Sequence, residues 1–251
     1  PTPPEKIVLG GMPGAPEPGI RFQPDVIRYS DLAGYANAIL KAKSLGIGRQ
    51  RDPRYDQLVK DLNALHGLSE PPAYDPILIT APVREDALRF AQATAGEIGR
   101  PVFRMYIEDN PQGLQALCLA VQQTGSFKFD RKTGQFSGKG TLVLEDIDLW
   151  EIPFMIGDED GINPFIAAQI SRGLREVYNF ISAAVDNPNV EVLVTAESGS
   201  ELPPFFSSLL EPYQTIEIEL PSAGERASIW MQLVSEHPSL AAVNVPLLVK
   251  N

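Results

Sequence analysis

Five short, largely apolar runs alternate with helix-patterned segments, and this alternation restricts the chain to one kind of architecture. The runs are Pro76 to Thr80, Val102 to Ile107, Thr141 to Ile147, Val190 to Ala196 and Thr215 to Leu220. A strand with one solvated face alternates polar and apolar residues, whereas a strand covered on both faces reads as a continuous apolar run. Between the runs, Arg84 to Ile98 carries apolar residues at Ala87, Leu88, Ala91, Ala95 and Ile98, a helical spacing. Gly99 follows as a C-cap glycine would. Gly113 to Gln123 and Pro164 to Val185 read as further helices. The expected fold is α/β: a three-layer α/β/α core around a mainly parallel sheet.

The remaining segments set the boundaries. Residues 1–24 hold seven prolines and four glycines, which excludes a helix or a central strand and predicts a linker or extended arm. Ser30-Asp31-Leu32-Ala33-Gly34 reads as a helix start with Ser30 or Asp31 as N-cap, followed by a broken helical stretch to about Gly67. Ser126 to Phe136 reads as a hairpin turning at Asp130 to Gly134, with its aromatic residues packed underneath. Its alternative reading is a partner-contacting insertion whose Lys128, Arg131, Lys132 and Lys139 form a basic edge. Helical pattern resumes at Glu225 to Ser235. The core is therefore expected over residues 25–221, with the start of a helical lid over 222–251.

The formal net charge is −11 and the pI about 4.7. Nucleic acid and anionic membranes repel such a chain, so proteins or small molecules are the expected partners. Cys118 is the one cysteine, and it lies in an apolar run as a core residue; no internal disulfide can form, which fits a cytoplasmic location. No apolar run approaches the length of about 18 residues needed for a transmembrane helix. The chain starts at Pro1 without a methionine and is expected to be part of a longer protein.

A strand followed by a turn and a helix is where a phosphate-binding loop belongs. Such a loop needs glycines so that backbone N–H groups can wrap phosphate oxygens, a lysine for the β- and γ-phosphates, and a hydroxyl for Mg²⁺. Here the segment reads Ala81-Pro82-Val83-Arg84-Glu85-Asp86-Ala87-Leu88. Its surroundings, Ile77-Leu78-Ile79-Thr80 leading in and Ala95-Gly96-Glu97-Ile98-Gly99 leading out, resemble the AAA+ ATPase family. So do Leu142 to Asp148, Val192 to Glu197, Thr215 to Pro221 with Glu225-Arg226 and Ile229, and Ser30 to Gly34. Together these cover roughly residues 28 to 236, in order.

The resemblance implies a P-loop NTPase-like core, and within it a set of departures. Ala81 and Asp86 stand for the two loop glycines, Ala87 for the lysine and Leu88 for the hydroxyl. Glu145 and Asp146 reverse the family's Asp-Glu pair, which serves Mg²⁺ and water activation. Glu197 occupies a sensor position that prefers Asn. The arginine finger is expected before the last strand, yet residues 177–225 contain no Lys or Arg. In place of an aromatic pore loop stands Glu108-Asp109-Asn110-Pro111-Gln112-Gly113. Losing the lysine and hydroxyl removes contacts of about 1.5–3 kcal/mol each, and carboxylates at Glu85 and Asp86 are expected to repel phosphate by on the order of 4 kcal/mol. A side chain at a left-handed glycine position is expected to add roughly 1–2 kcal/mol. These losses approach the roughly 8 kcal/mol of a micromolar ligand.

The expectation is a catalytically degenerate AAA+-like module that needs no cofactor and no metal. It would act as a structural, regulatory or protein-interaction unit beside an active AAA+ module in the same chain or ring. Two alternatives stay open. One is Mg-ATP binding of a non-standard kind, with Arg84 on phosphate and Glu145 and Asp146 on Mg²⁺. The other is a protein-binding adaptor working through the 126–136 hairpin.

Overall fold

Apolar side chains on both faces of four of the five strands of the main sheet decide the architecture, the fifth, at one margin, burying only Ile216. The computed structural model describes residues 27–52, 54–68, 73–106, 127–130, 132–150, 175 and 177–249. The Pro-rich arm, the helix expected at 113–123, the pore-loop stretch 108–113, Cys118 and the first part of the 164–185 helix lie outside these residues.

In chain order the described elements are α1 (Ala36–Ser44), α2 (Tyr55–Leu65), β1 (Ile77–Ala81), α3 (Arg84–Ile98), β2 (Val102–Tyr106), the hairpin strands β3 (Lys128–Asp130) and β4 (Gln135–Ser137), and β5 (Gly140–Glu145). Then come α4 at residues 177–185, β6 (Val190–Glu197), α5 (Pro204–Leu210), β7 (Gln214–Glu217), α6 (Ala223–Glu236) and α7 (Val245–Leu248). The main sheet has the order β2-β5-β6-β1-β7, and each of its strand pairs is parallel. All five strands therefore end at the same edge.

Helices cover both faces. On one, Ala87, Phe90, Ala91, Ala95 and Ile98 of α3 pack over Ile77, Ile79, Val143, Leu193 and Ile216. The alanines let the helix axis come close to the strands, and Phe90 fills the space beside them. On the other face Phe180 and Ile181 of α4, Phe206 of α5 and the hairpin's Phe127, Phe129 and Phe136 cover Leu142, Leu144, Val192 and Val194. Phe180 meets Phe129 and Phe136 with ring centroids 5.0 and 4.9 Å apart. Burying each such ring contributes about 1.5–3 kcal/mol, so the hairpin has its aromatics packed underneath, as its sequence predicts.

The ends of α3 match the sequence reading residue for residue. Gly99 stands in the left-handed region at φ 71°, its N–H donating to the Ala95 carbonyl, and Arg51 Nε donates to the Glu97 carbonyl at 2.7 Å. Elsewhere boundaries shift. Tyr29–Asp31 forms a 3-10 turn and not the start of a helix. The Tyr29 ring stacks on Phe90 at 5.3 Å and its hydroxyl meets Thr94 Oγ1 at 2.9 Å, which lays this segment flat on α3. Gly34, at φ 90°, then turns the chain, and α1 begins at Ala36. β7 ends at Glu217 although Ile218 N–H still donates to the Thr80 carbonyl at 2.7 Å. Among the described residues no helix is long and apolar enough to cross a membrane.

Candidate functional site

In an open parallel sheet, ligands bind beyond the carboxyl ends of the strands, at the point where successive connections leave in opposite directions. From β1 the chain moves through α3 to β2 at one margin; from β6 it moves past β1 to β7 at the other. The switch point lies between the carboxyl ends of β1 and β6, with the end of β5 alongside.

The segment from Ala81 to Leu88 arrives there as the end of a strand, a two-residue link and the first turn of a helix. Ala81 is the last, fully buried residue of β1, and α3 begins at Arg84. Only Pro82 and Val83 connect them, with Val83 extended at φ −119° and ψ 119°. Arg84, Glu85, Asp86, Ala87 and Leu88 are helical residues, and among the described non-glycine residues the positive-φ conformation belongs to Asp146 alone. The left-handed strain expected at these positions is therefore absent. The repulsion expected from Asp86 is also redirected: its carboxylate accepts the Tyr35 hydroxyl at 2.7 Å, on the α1 side of the helix. Burial and this carboxylate together hold the Tyr35 phenol above its ordinary pKa. The loop's departure from a phosphate cradle lies in its length, since two residues cannot surround an anion.

Arg84 fills the switch point. Its Nη1 and Nη2 donate to Oδ1 and Oδ2 of Asp148 at 2.8 and 2.7 Å, and Nη2 also donates to Glu197 Oε2 at 2.8 Å. Asp146 Oδ1 stands 3.6 Å from Nη1, an ion pair beyond hydrogen-bond reach. The Asp148 side chain is only 3% exposed and Arg84 25%, so the pair is screened little by water. The Asp148 hydrogen bonds hold the guanidinium more firmly protonated than usual.

Local backbone brings Asp148 into place. At the end of β5, Asp146 adopts φ 49° and ψ 49°, a conformation that Asp tolerates better than most residues. Its N–H donates to Thr195 Oγ1 on β6 at 2.8 Å, and the chain enters a 3-10 turn at Ile147–Leu149. Trp150, 1% exposed, fixes the far side of this turn by donating its indole N–H to the Glu145 carbonyl at 2.8 Å.

The carboxyl groups differ in their protonation. Burial pushes Asp148 up, but the Arg84 and Ser200 hydrogen bonds outweigh it and leave the group below the ordinary aspartate value. Asp146 goes the other way: burial dominates, the partial pairing with Arg84 does not offset it, and its pKa is raised. Glu197, 46% exposed, stands at the rim.

Glu145 is elsewhere. Strand alternation turns its side chain under α3, where it accepts Arg104 Nε at 2.5 Å in a pair 11% and 4% exposed. With the Gln92 amide oxygen turned toward Arg104, that oxygen accepts from both terminal guanidinium nitrogens at 3.1 and 2.8 Å. Glu145 and Asp146, adjacent in sequence, thus point to different places, and only Asp146 reaches the switch point. Sequence reading brought Arg84 and Asp146 forward together, with Glu145, as an alternative nucleotide site, and Glu197 by itself. It did not single out Asp148 as the residue that joins them, and the Asp146-Ile147-Asp148 spacing was the available signal.

Chemically, the cluster is one cation held by two hydrogen-bonded carboxylates, with a third nearby. It offers no nucleophile with an adjacent base, and among the described residues no group of three His, Cys, Asp or Glu is arranged to hold a metal ion. Comparison of the chain with protein-family models and with curated proteins finds no match in either.

Proposed function

We propose that this chain is a nucleotide-independent AAA+-like module that stabilises, regulates or docks beside an active ATPase module in the same polypeptide or assembly. The observation that carries this reading is the grip of Arg84 on Asp148 and Glu197. The cation that a phosphate would need is already committed to two carboxylates of its own chain, at the point of the sheet where a ligand belongs. Withdrawing it breaks charge-assisted hydrogen bonds of about 1.5–3 kcal/mol each. The two-residue link Pro82-Val83 supports the same reading, because it presents no run of backbone N–H groups around an anion. So does the separation of Glu145 from Asp146, which leaves no adjacent acidic pair to serve Mg²⁺ and water. The family resemblance rests on the ordered sequence motifs, and the parallel strand arrangement is in keeping with it.

Thermal unfolding with and without 1 mM Mg²⁺-ATP tests the proposal. A ligand bound with micromolar affinity would add about 4 kcal/mol at that concentration, a rise on the order of 10 °C for a domain of this size. No shift is the expected result. A rise of several degrees would favour the non-standard nucleotide reading in its place.

A further inference from the structure

At the opposite edge of the sheet, where the strands begin, α2 walls one side of a cleft of about 640 Å³, with the hairpin and the turn after α4 on the other. The chain is fastened to the body just before and just after this helix. Ahead of it, Arg51 Nε donates to the Glu97 carbonyl at 2.7 Å and Nη2 to that of Gly96, while Gln50 Nε2 donates to Glu191 at 3.1 Å. Behind it, Asp75 accepts Gln214 Nε2 at 2.9 Å as the chain enters β1.

Between these points α2 is held lightly. None of its eleven described residues is buried. Leu58, Leu62 and Leu65 stand one turn apart along one side and are 55, 47 and 77% exposed; Tyr55, Val59 and Asn63 are half-buried. Among the described residues, two hydrogen bonds join its side chains to the rest of the protein, both from the first turn. The Tyr55 and Tyr74 hydroxyls meet at 2.8 Å. Lys139 Nζ donates to Asp56 Oδ2 at 2.5 Å, in a pair 45 and 56% exposed, and such pairs hold weakly and less so in salt. The seated position also leaves Asn63 Nδ2 enclosed without a hydrogen-bond partner, a cost relieved when the amide returns to water. The helix has little support of its own, since isolated helices below about 12–15 residues are marginal and Arg54 at its N-cap makes no side-chain cap.

We infer that α2 is a flap over this cleft, which lifts as a unit while the sheet stays folded, with the Asp56–Lys139 pair as its salt-sensitive latch. Segments that bury few side chains open well below the free energy of global unfolding. Lifting takes Asp56, Val59 and Lys60 out of the cleft wall and leaves Tyr74, Arg100 and Phe136 on the side that stays. The inference is independent of the nucleotide question, because α2 is at the other edge of the sheet from Arg84.

The test is native-state hydrogen exchange of the whole chain, with the amides of β1 and β6 as internal reference. The α2 amides are expected to exchange at least about a hundredfold faster than the reference strands. Raising NaCl from about 0.05 to about 1 M, where the Debye length falls to about 3 Å, should speed α2 and leave β1 and β6 unchanged. Lys139→Ala is expected to speed α2 about threefold and Tyr55→Phe about fivefold, again without effect on the reference strands. Exchange of α2 as slow as that of β6 would overturn the inference. Fast exchange of α2 that ignores salt and both variants would overturn it as well, showing a helix that frays in place without leaving the body.

Discussion

Arg84 and Asp148 form a bidentate pair, two parallel N–H···O bonds of 2.8 and 2.7 Å, although 64 positions separate them in sequence. With Glu197 at 2.8 Å, the guanidinium joins the start of α3, the turn after β5 and the end of β6. Such a fork fits two oxygens in one plane, a geometry lysine cannot supply.

Arg84→Ala is expected to lower stability by about 2–3 kcal/mol, because it leaves the nearly inaccessible Asp148 carboxylate without its counter-ion. Arg84→Lys should recover part of the loss but not the two-point geometry. Urea unfolding of both variants checks this. A loss under about 0.5 kcal/mol for the alanine variant would mean that the pair contributes nothing.

Asp146 and Asp148 give opposite pH dependences. Asp148 has a folded-state pKa below its unfolded one, so its stabilisation is present above the ordinary aspartate range and disappears as pH falls through the folded value. Asp146 has a raised folded pKa, so its ionised form weakens the fold at neutral pH and protonation on acidification relieves that. Asp146→Asn keeps a residue suited to positive φ and removes the titration. It should be more stable than the parent at pH 7, by under about 1 kcal/mol, and the advantage should vanish as pH falls to the ordinary aspartate range. Stability curves from pH 7 to pH 4 decide it; a difference that grows on acidification would show the assignment to be wrong.

Under α3, Arg104→Met should cost about 3–5 kcal/mol by leaving Glu145 charged and enclosed by protein. Arg104→Met combined with Glu145→Leu removes both charges, and its loss should fall well short of the sum of the two single losses. A double-mutant cycle measured by denaturant unfolding gives the coupling. Strict additivity would mean that the two groups do not depend on one another.

The sequence disclosed what depends on neighbours along the chain. The β-strands were readable from runs such as Val192-Leu193-Val194, because burial on both faces leaves no room for polar alternation. α3 was readable from its alanine spacing and Gly99. α5 was not, since Pro203-Pro204 masks a seven-residue helix whose buried Phe206, Leu209 and Leu210 are its main signal. The candidate site was legible as a set of residue types at the right place, but not as a geometry. Nothing near Arg84 announces Asp148, and adjacency of Glu145 and Asp146 does not reveal that strand pleating sends Glu145 to Arg104 and leaves Asp146 near Arg84. The start of α3 at Arg84 was legible as well, and with β1 ending at Ala81 it leaves only Pro82 and Val83 between strand and helix.

The place of β1 within the sheet bears on how the protein is made. β1 is first of the five strands to leave the ribosome, yet both of its neighbours, β6 and β7, come after everything else in the sheet. At typical translation speeds, on the order of ten seconds pass before either arrives. Through that interval Ile77-Leu78-Ile79 lacks both of its native strand partners, and an apolar strand with unpaired edges is the part of a growing chain most open to pairing with the wrong neighbour.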